Sequence, residues 1–247
     1  MIVKKLPILA FTLVCLNTSA QLKMPDHLVG DVGGAAFITQ SIIKGDTNIQ
    51  KVLPYMYFDY QNAFARIDTF GLKTISVGNG HLELVGRISF EGFKTNSSIN
   101  GIQNRNNPIP LGIGTRQLTD VGAFFLYGFY DITSGGYAQE FTYATKFNYG
   151  KINFYPQLGL EMRSAKYVNY LYGVNSAQAT ASGLSSYTAH ASNIPVLGLA
   201  MEVPIDNSWN INFQYRTKWL DNSITNSPLV STKTQYNGFV GLTYSYK

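Results

Sequence analysis

The sequence is poor in cysteine, in charge, in tryptophan and in long apolar runs. Cys15 is the only cysteine among 247 residues, so disulfides cannot staple the chain. Charged residues make up 13% of the chain, roughly half of what a soluble domain carries. The balance of 19 Lys and Arg against 14 Asp and Glu is too mild for a nucleic-acid binder, and no basic run occurs. There are 3 histidines, His27, His81 and His190, and they are scattered, so no ligand set with metal spacing is present. Beyond the N-terminus, the longest apolar stretch, Val121–Tyr130, is about half the length a spanning helix needs.

The N-terminus itself has the layout of an export signal. Lys4 and Lys5 precede the apolar stretch Leu6–Leu16, and Thr18-Ser19-Ala20 offers small residues for cleavage before Gln21. Cys15 lies inside the apolar stretch after Val14, which does not fit a lipid-attachment motif. Residues 1–20 are therefore expected to be a cleaved secretory signal and residues 21–247 the mature domain. Loss of Lys4 and Lys5 leaves 17 basic against 14 acidic side chains, a net charge of +3.

The sequence is rich in tyrosine (17), phenylalanine (15) and glycine (23), and in period-two alternation. Side chains of a strand point alternately to its two faces. Trp209, Ile211, Phe213, Tyr215, Thr217 and Trp219 oppose Asn210, Asn212, Gln214, Arg216 and Lys218. Ile152–Arg163 alternates in the same way, with Gln157, Glu161 and Arg163 on the polar face. His81–Phe93 sets Leu82, Leu84 and Ile88 against Glu83, Arg87 and Glu91. Phe239 interrupts the alternation of the C-terminal strand. These patterns run for about ten residues, longer than soluble strands and long enough for a tilted strand to cross a bilayer. Aromatic residues at their ends match the interfacial girdles of outer-membrane barrels.

The expected fold is therefore all-β: a closed, antiparallel transmembrane β-barrel. Ten segments are legible, near 29–42, 51–61, 64–76, 81–93, 119–131, 137–149, 151–163, 193–205, 209–220 and 236–247. Twelve strands would follow if 166–190 held a further hairpin. An even count places both termini in the periplasm. With ten strands, 77–80 falls among the outer loops, and Lys94–Leu118 becomes a long periplasmic connection and a candidate docking loop. Polar faces that turn inward put Glu83, Arg87, Glu91, Glu140, Lys146, Glu161, Arg163, Glu202, Arg216 and Lys218 in the lumen. The mixed signs predict pairing that fills the interior. The segment Val168–Tyr187 is poor in charge and rich in Ala and Ser. It reads as a plug in the barrel mouth, with Tyr170, Leu171 and Tyr172 packed inward and a short helix in the Ala/Ser stretch.

Catalytic signals are weak. A barrel hydrolase needs a Ser/His pair oriented by a third group. His190 lies near Ser182, Ser185, Ser186 and Ser192, but in a loop of small residues almost any histidine would, and it reads as a loop residue. Gly78-Asn79-Gly80 and Gly112-Ile113-Gly114 open no helix and read as turns.

A set of motifs in fixed order resembles the MipA/OmpV family of outer-membrane proteins. Its members carry the run that here reads Tyr172-Gly173-Val174, Gln178, Ser182-Gly183-Leu184 and Tyr187. Next come Leu220-Asp221-Asn222-Ser223 and Ser227-Pro228-Leu229-Val230. Val52-Leu53-Pro54, Asp59-Tyr60 and Leu118-Thr119-Asp120-Val121 match earlier elements, with Thr119 in place of glycine. The chain ends in Lys247, where barrels commonly end in an aromatic residue. The resemblance implies an outer-membrane scaffold that joins a lytic murein transglycosylase to a penicillin-binding protein, with lipid around it and no catalytic residue or cofactor. A small-solute channel, an adhesin built from loops 164–192 and 221–235, and a lipid-modifying barrel enzyme are the alternatives.

Overall fold

A computed structural model of the chain describes residues 24–247. The expected signal segment lies outside the described residues. The strand segments are β1 (Val29–Thr39), β2 (Ile49–Tyr60), β3 (Ala63–Arg66), β4 (Thr69–Val77), β5 (Gly80–Arg87), β6 (Pro110–Thr119) and β7 (Gly122–Asp131). They continue with β8 (Tyr137–Ala144), β9 (Phe147–Tyr149), β10 (Ile152–Arg163), β11 (Ser192–Pro204), β12 (Trp209–Trp219) and β13 (Thr234–Tyr246). Among the described residues three α-helices, α1 (Ala165–Tyr172), α2 (Ser176–Ser182) and α3 (Asn222–Thr225), and one 3-10 turn, Ser97–Ile99, lie in connections. No helix among the described residues is long and apolar enough to cross a membrane.

Every strand pairs antiparallel with its neighbours, and β13 returns to β1 with Phe239 opposite Phe37. β8 and β9 both pair with β10 and act as one interrupted strand. The result is a closed barrel of twelve staves. Closure leaves no sheet edge along most of the wall, as hydrocarbon demands. Trp209 and Tyr244 meet edge to face at 5.4 Å near the short-turn end, and Tyr215 and Tyr236 stack near the other end. From Trp209 to Trp219 the strand rises roughly 33 Å, or about 25 Å along the normal at a tilt of ~40°, which matches the apolar band of a membrane barrel.

Ten strands was too few, and the two missing staves have separate causes. The segment 64–76 is two strands, β3 and β4, folded back at Ile67-Asp68. Residues 110–119, assigned to a loop, form β6. The region 166–190 holds α1 and α2, so no hairpin there contributes to the twelve. The two added strands reverse the side assigned to everything between them. Residues 78–79 form a tight turn at the end that also carries the termini. The connection between β5 and β6 lies at the opposite end, with the long loops. Asn96 there donates to the Lys44 carbonyl at 3.0 Å, and the Asn106 N–H donates to the Tyr170 hydroxyl at 2.9 Å. Lys94–Leu118 is therefore not a periplasmic docking loop.

Candidate functional site

The loop end of the barrel is closed by an apolar layer. Val168, Leu171, Ile224 and Leu229 are each 0% exposed, and Ile42, Ile43, Phe93, Ile99, Tyr172 and Val230 pack around them. Capping residues start the helices of this layer: Ser164 accepts from the Tyr167 N–H, and Asn175 forms a capping box with Gln178. Gly183 ends α2 at φ +72°, the left-handed conformation that favours glycine at this position. Val174 and Tyr187 then pair across the loop, each N–H donating to the other's carbonyl at 2.8 Å.

The second motif docks on the first. Ser227 Oγ donates to the Tyr172 carbonyl at 2.6 Å, and Leu229 enters the apolar layer. Tyr187 Oη donates to the Ser223 carbonyl at 2.8 Å. Arg105 reaches from the β5–β6 connection to the Gly173 carbonyl at 3.2 Å and to Gln178 Oε1 at 3.3 Å. Burial holds the Arg105 guanidinium below its ordinary range. Tyr172, Gly173, Val174, Gln178, Ser182, Gly183, Leu184, Tyr187, Ser227, Pro228, Leu229 and Val230 thus build one cap from two loops.

Beneath the cap the interior is polar. Arg163 holds Glu91 at 2.6 Å and Glu161 at 3.1 Å, and Lys218 holds Glu161 at 2.7 Å. Arg87 pairs with Glu140 and stacks over the Phe129 ring at 4.4 Å. Glu83 accepts from Tyr127 Oη at 2.8 Å, and Glu202 from Asn153 at 3.0 Å and Tyr155 at 3.2 Å; neither forms an ion pair among the described residues. Lys146 is exposed near the turn end, 5.7 Å from the Tyr155 ring centroid. Arg216 Nε is buried and has no hydrogen-bond partner among the described residues. Phe239 turns inward onto Phe37 and Tyr55, which explains its break in the strand pattern.

Sequence reading missed a second cluster. Asp59 holds Arg66 at 2.5 Å, Lys73 at 2.7 Å and Arg116 at 3.4 Å. Its members sit on β2, which was read as a strand, and on β3, β4 and β6, where the strand assignment had failed. Only the alternation Phe70, Leu72 against Gly71, Lys73 could have revealed its inward facing.

Among the described residues no Ser–His pair is assembled. His190 is exposed, and its backbone, not its ring, bonds Ser223. Ser182 Oγ donates to the Gln178 carbonyl at 2.6 Å. Among the described residues no group of three or more His, Cys, Asp or Glu is arranged to hold a metal.

Known proteins resemble this chain along most of its length. Omp26La, an outer membrane protein of Vibrio anguillarum, is 28% identical over 181 residues, which cover 72% of this chain and 66% of that protein. YiaT of Escherichia coli K12 is 20% identical over 221 residues, covering 87% and 90%. The MltA-interacting protein of the same organism is 25% identical over 115 residues, 46% of each chain. The family described as MltA-interacting protein MipA matches residues 32–246, from β1 to the end of β13. A twelve-stave outer-membrane barrel whose mouth is closed by two docked motifs, this chain belongs to the MipA family.

Proposed function

We propose that this barrel is a non-enzymatic scaffold that brings peptidoglycan-remodelling enzymes, a lytic transglycosylase and a penicillin-binding protein, to the outer membrane. The observation that carries this reading is the closed mouth. A packed apolar cap over an ion-paired interior suits a rigid attachment point better than an open channel. The name of the MltA-interacting relative supports the choice of partner. The face presented to the periplasm is the ring of short turns at 61–62, 78–79, 120–121, 150–151 and 205–208. It offers Tyr149 at 78% exposure and Val121 at 64% beside Asp120 and Asp206.

Capture of a purified murein transglycosylase by the immobilised full chain tests this. Combined substitution of Val121, Tyr149 and Asn207 is expected to abolish capture, while Gln103→Ala, an exposed position at the cap end, leaves it intact. Equal capture by the turn-face variant would overturn the assignment. Planar-bilayer recording supplies the second arm: the scaffold reading predicts no steady conductance, and stable channels would favour solute transport.

A further inference from the structure

The barrel wall has a gap. β2 pairs with β1 along its whole length, from Val29 opposite Asp59 to Thr39 opposite Ile49. On its other side β3 covers only Tyr57–Tyr60. The β3–β4 turn ends that cover, with the Ile67 N–H donating to the Met56 carbonyl at 2.7 Å. Above the turn, residues 49–55 have no strand partner on that side. The far bank is the chain that leaves β5, where the Ile88 N–H donates to the Asp68 carbonyl at 2.9 Å. Lys51 bridges the banks, its Nζ 5.1 Å from the Phe90 ring centroid.

The gap lies at the depth of lipid. Val52 is opposite Ala36, which is opposite Val240; Pro54 is opposite Gly34, which is opposite Leu242. Val240 and Leu242 are apolar, outward and half exposed, and Val52 is 82% exposed. Alternate residues of a strand direct their backbone groups to the same side, so Pro54 shares the uncovered side with Met56. Proline has no N–H to leave unpaired there, the reason it is tolerated at sheet edges.

A cavity of about 400 Å³ passes through the gap. Outward-facing Pro54 and Met56 and inward-facing Leu53 all line it, so it runs around the edge of β2. Ile67, Ile88 and Phe90 make its mouth apolar. Its inner end meets Arg216 and the paired carboxylates. Glu91, Glu140 and Glu161 each already hold an arginine or lysine, and two lining cations, Arg216 at the inner end and Lys51 at the mouth, have no ion-pair partner among the described residues. Two buried polar atoms on the lining, Arg216 Nε and Ser89 Oγ, have no hydrogen-bond partner among the described residues.

We propose that this gap is a lateral portal that takes an anionic single-chain amphiphile of the fatty-acid class from the membrane. The carboxylate meets Arg216, and the tail crosses the edge of β2 between Met56 and Ile88 into lipid. An apolar channel with the half-buried Arg216 guanidinium, its Nε unpartnered among the described residues, at the inner end fits a ligand with one tail and one negative head. This inference is independent of the scaffold reading.

The test is photolabelling of the full chain in phosphatidylcholine nanodiscs by hexadecanoic acid with a diazirine in its tail. Adducts are expected on residues 49–56, Ile67 and 88–90. Arg216→Gln, checked for folding by its heat-dependent gel shift, should reduce them about tenfold, the scale of one lost charge-assisted hydrogen bond. Arg216→Lys should retain most of the labelling. Unlabelled hexadecanoic acid should compete, and hexadecanol should not. Adducts spread evenly over all lipid-facing strands would overturn the portal. Equal competition by hexadecanol would overturn the role of Arg216. Competition by phosphatidylglycerol but not by hexadecanoic acid would overturn the single-chain assignment.

Discussion

Ser227 binds the two halves of the cap through one buried hydrogen bond to the Tyr172 carbonyl. Ser227→Ala leaves that carbonyl without its partner, at a cost of about 1–3 kcal/mol. The expected outcome is faster cleavage of loops 164–191 and 220–233 by protease, with the strands still protected. Arg163 stands between Glu91 and Glu161, and Arg163→Met would leave two carboxylates short of a cation. Breaking a buried pair costs about 3–5 kcal/mol, which should appear as a lower urea midpoint for the folded barrel. Tyr167 and Tyr172 lie in the cap, outside the spanning strands. Burial first, and then the Glu91 charge, holds both hydroxyls well above the ordinary tyrosine value of 10.0. A raised folded value means their contribution is complete below that pH and is lost as pH climbs toward the folded values. Tyrosinate absorbance should therefore show a late-ionising phase, and the part of it lost in a Tyr167→Phe, Tyr172→Phe variant should coincide with opening of the cap. Ionisation of all tyrosines in step, near the ordinary value, would contradict their burial.

At the scale of elements, α2 ends on Gly183, and a Cβ built there would meet nothing within 4 Å. Gly183→Ala thus reports backbone strain alone, about 1–2 kcal/mol for a residue at φ +72°. Hydrogen exchange should quicken in 176–182 and stay unchanged in β11. Local chemistry also governs which elements the sequence disclosed. β10 and β12 carry large side chains on both faces and β13 sets large apolar residues against mostly small polar ones, so their alternation is visible. In β6 the inward positions 112 and 114 are glycines, because a Cβ at Gly112 would lie 1.9 Å from the Gly128 carbonyl oxygen and one at Gly114 would meet the Tyr127 ring. An alternation with no side chain on one face reads as a loop. The β3–β4 turn hid for the opposite reason. Its left-handed position is Ile67, at φ +64°, where turn chemistry leads one to look for glycine or asparagine. The cap was legible because its helix and its apolar residues share one charge-poor stretch. The Asp59 cluster was not, because its members are far apart in sequence and meet only once β3 and β6 are placed.

At the scale of the whole molecule, the position of one connection decides which face meets the cell. Twelve staves put residues 88–109 with the cap and leave only short turns on the side of the termini. The scaffold reading depends on that polarity. Labelling of single cysteines by a membrane-impermeant maleimide on intact cells, in a background without Cys15, reads it directly. The account predicts that Gln103→Cys reacts on intact cells, while Asp120→Cys and Asn207→Cys react only after the outer membrane is permeabilised. Protection of Gln103→Cys on intact cells, with Asp120→Cys freely labelled, would contradict it.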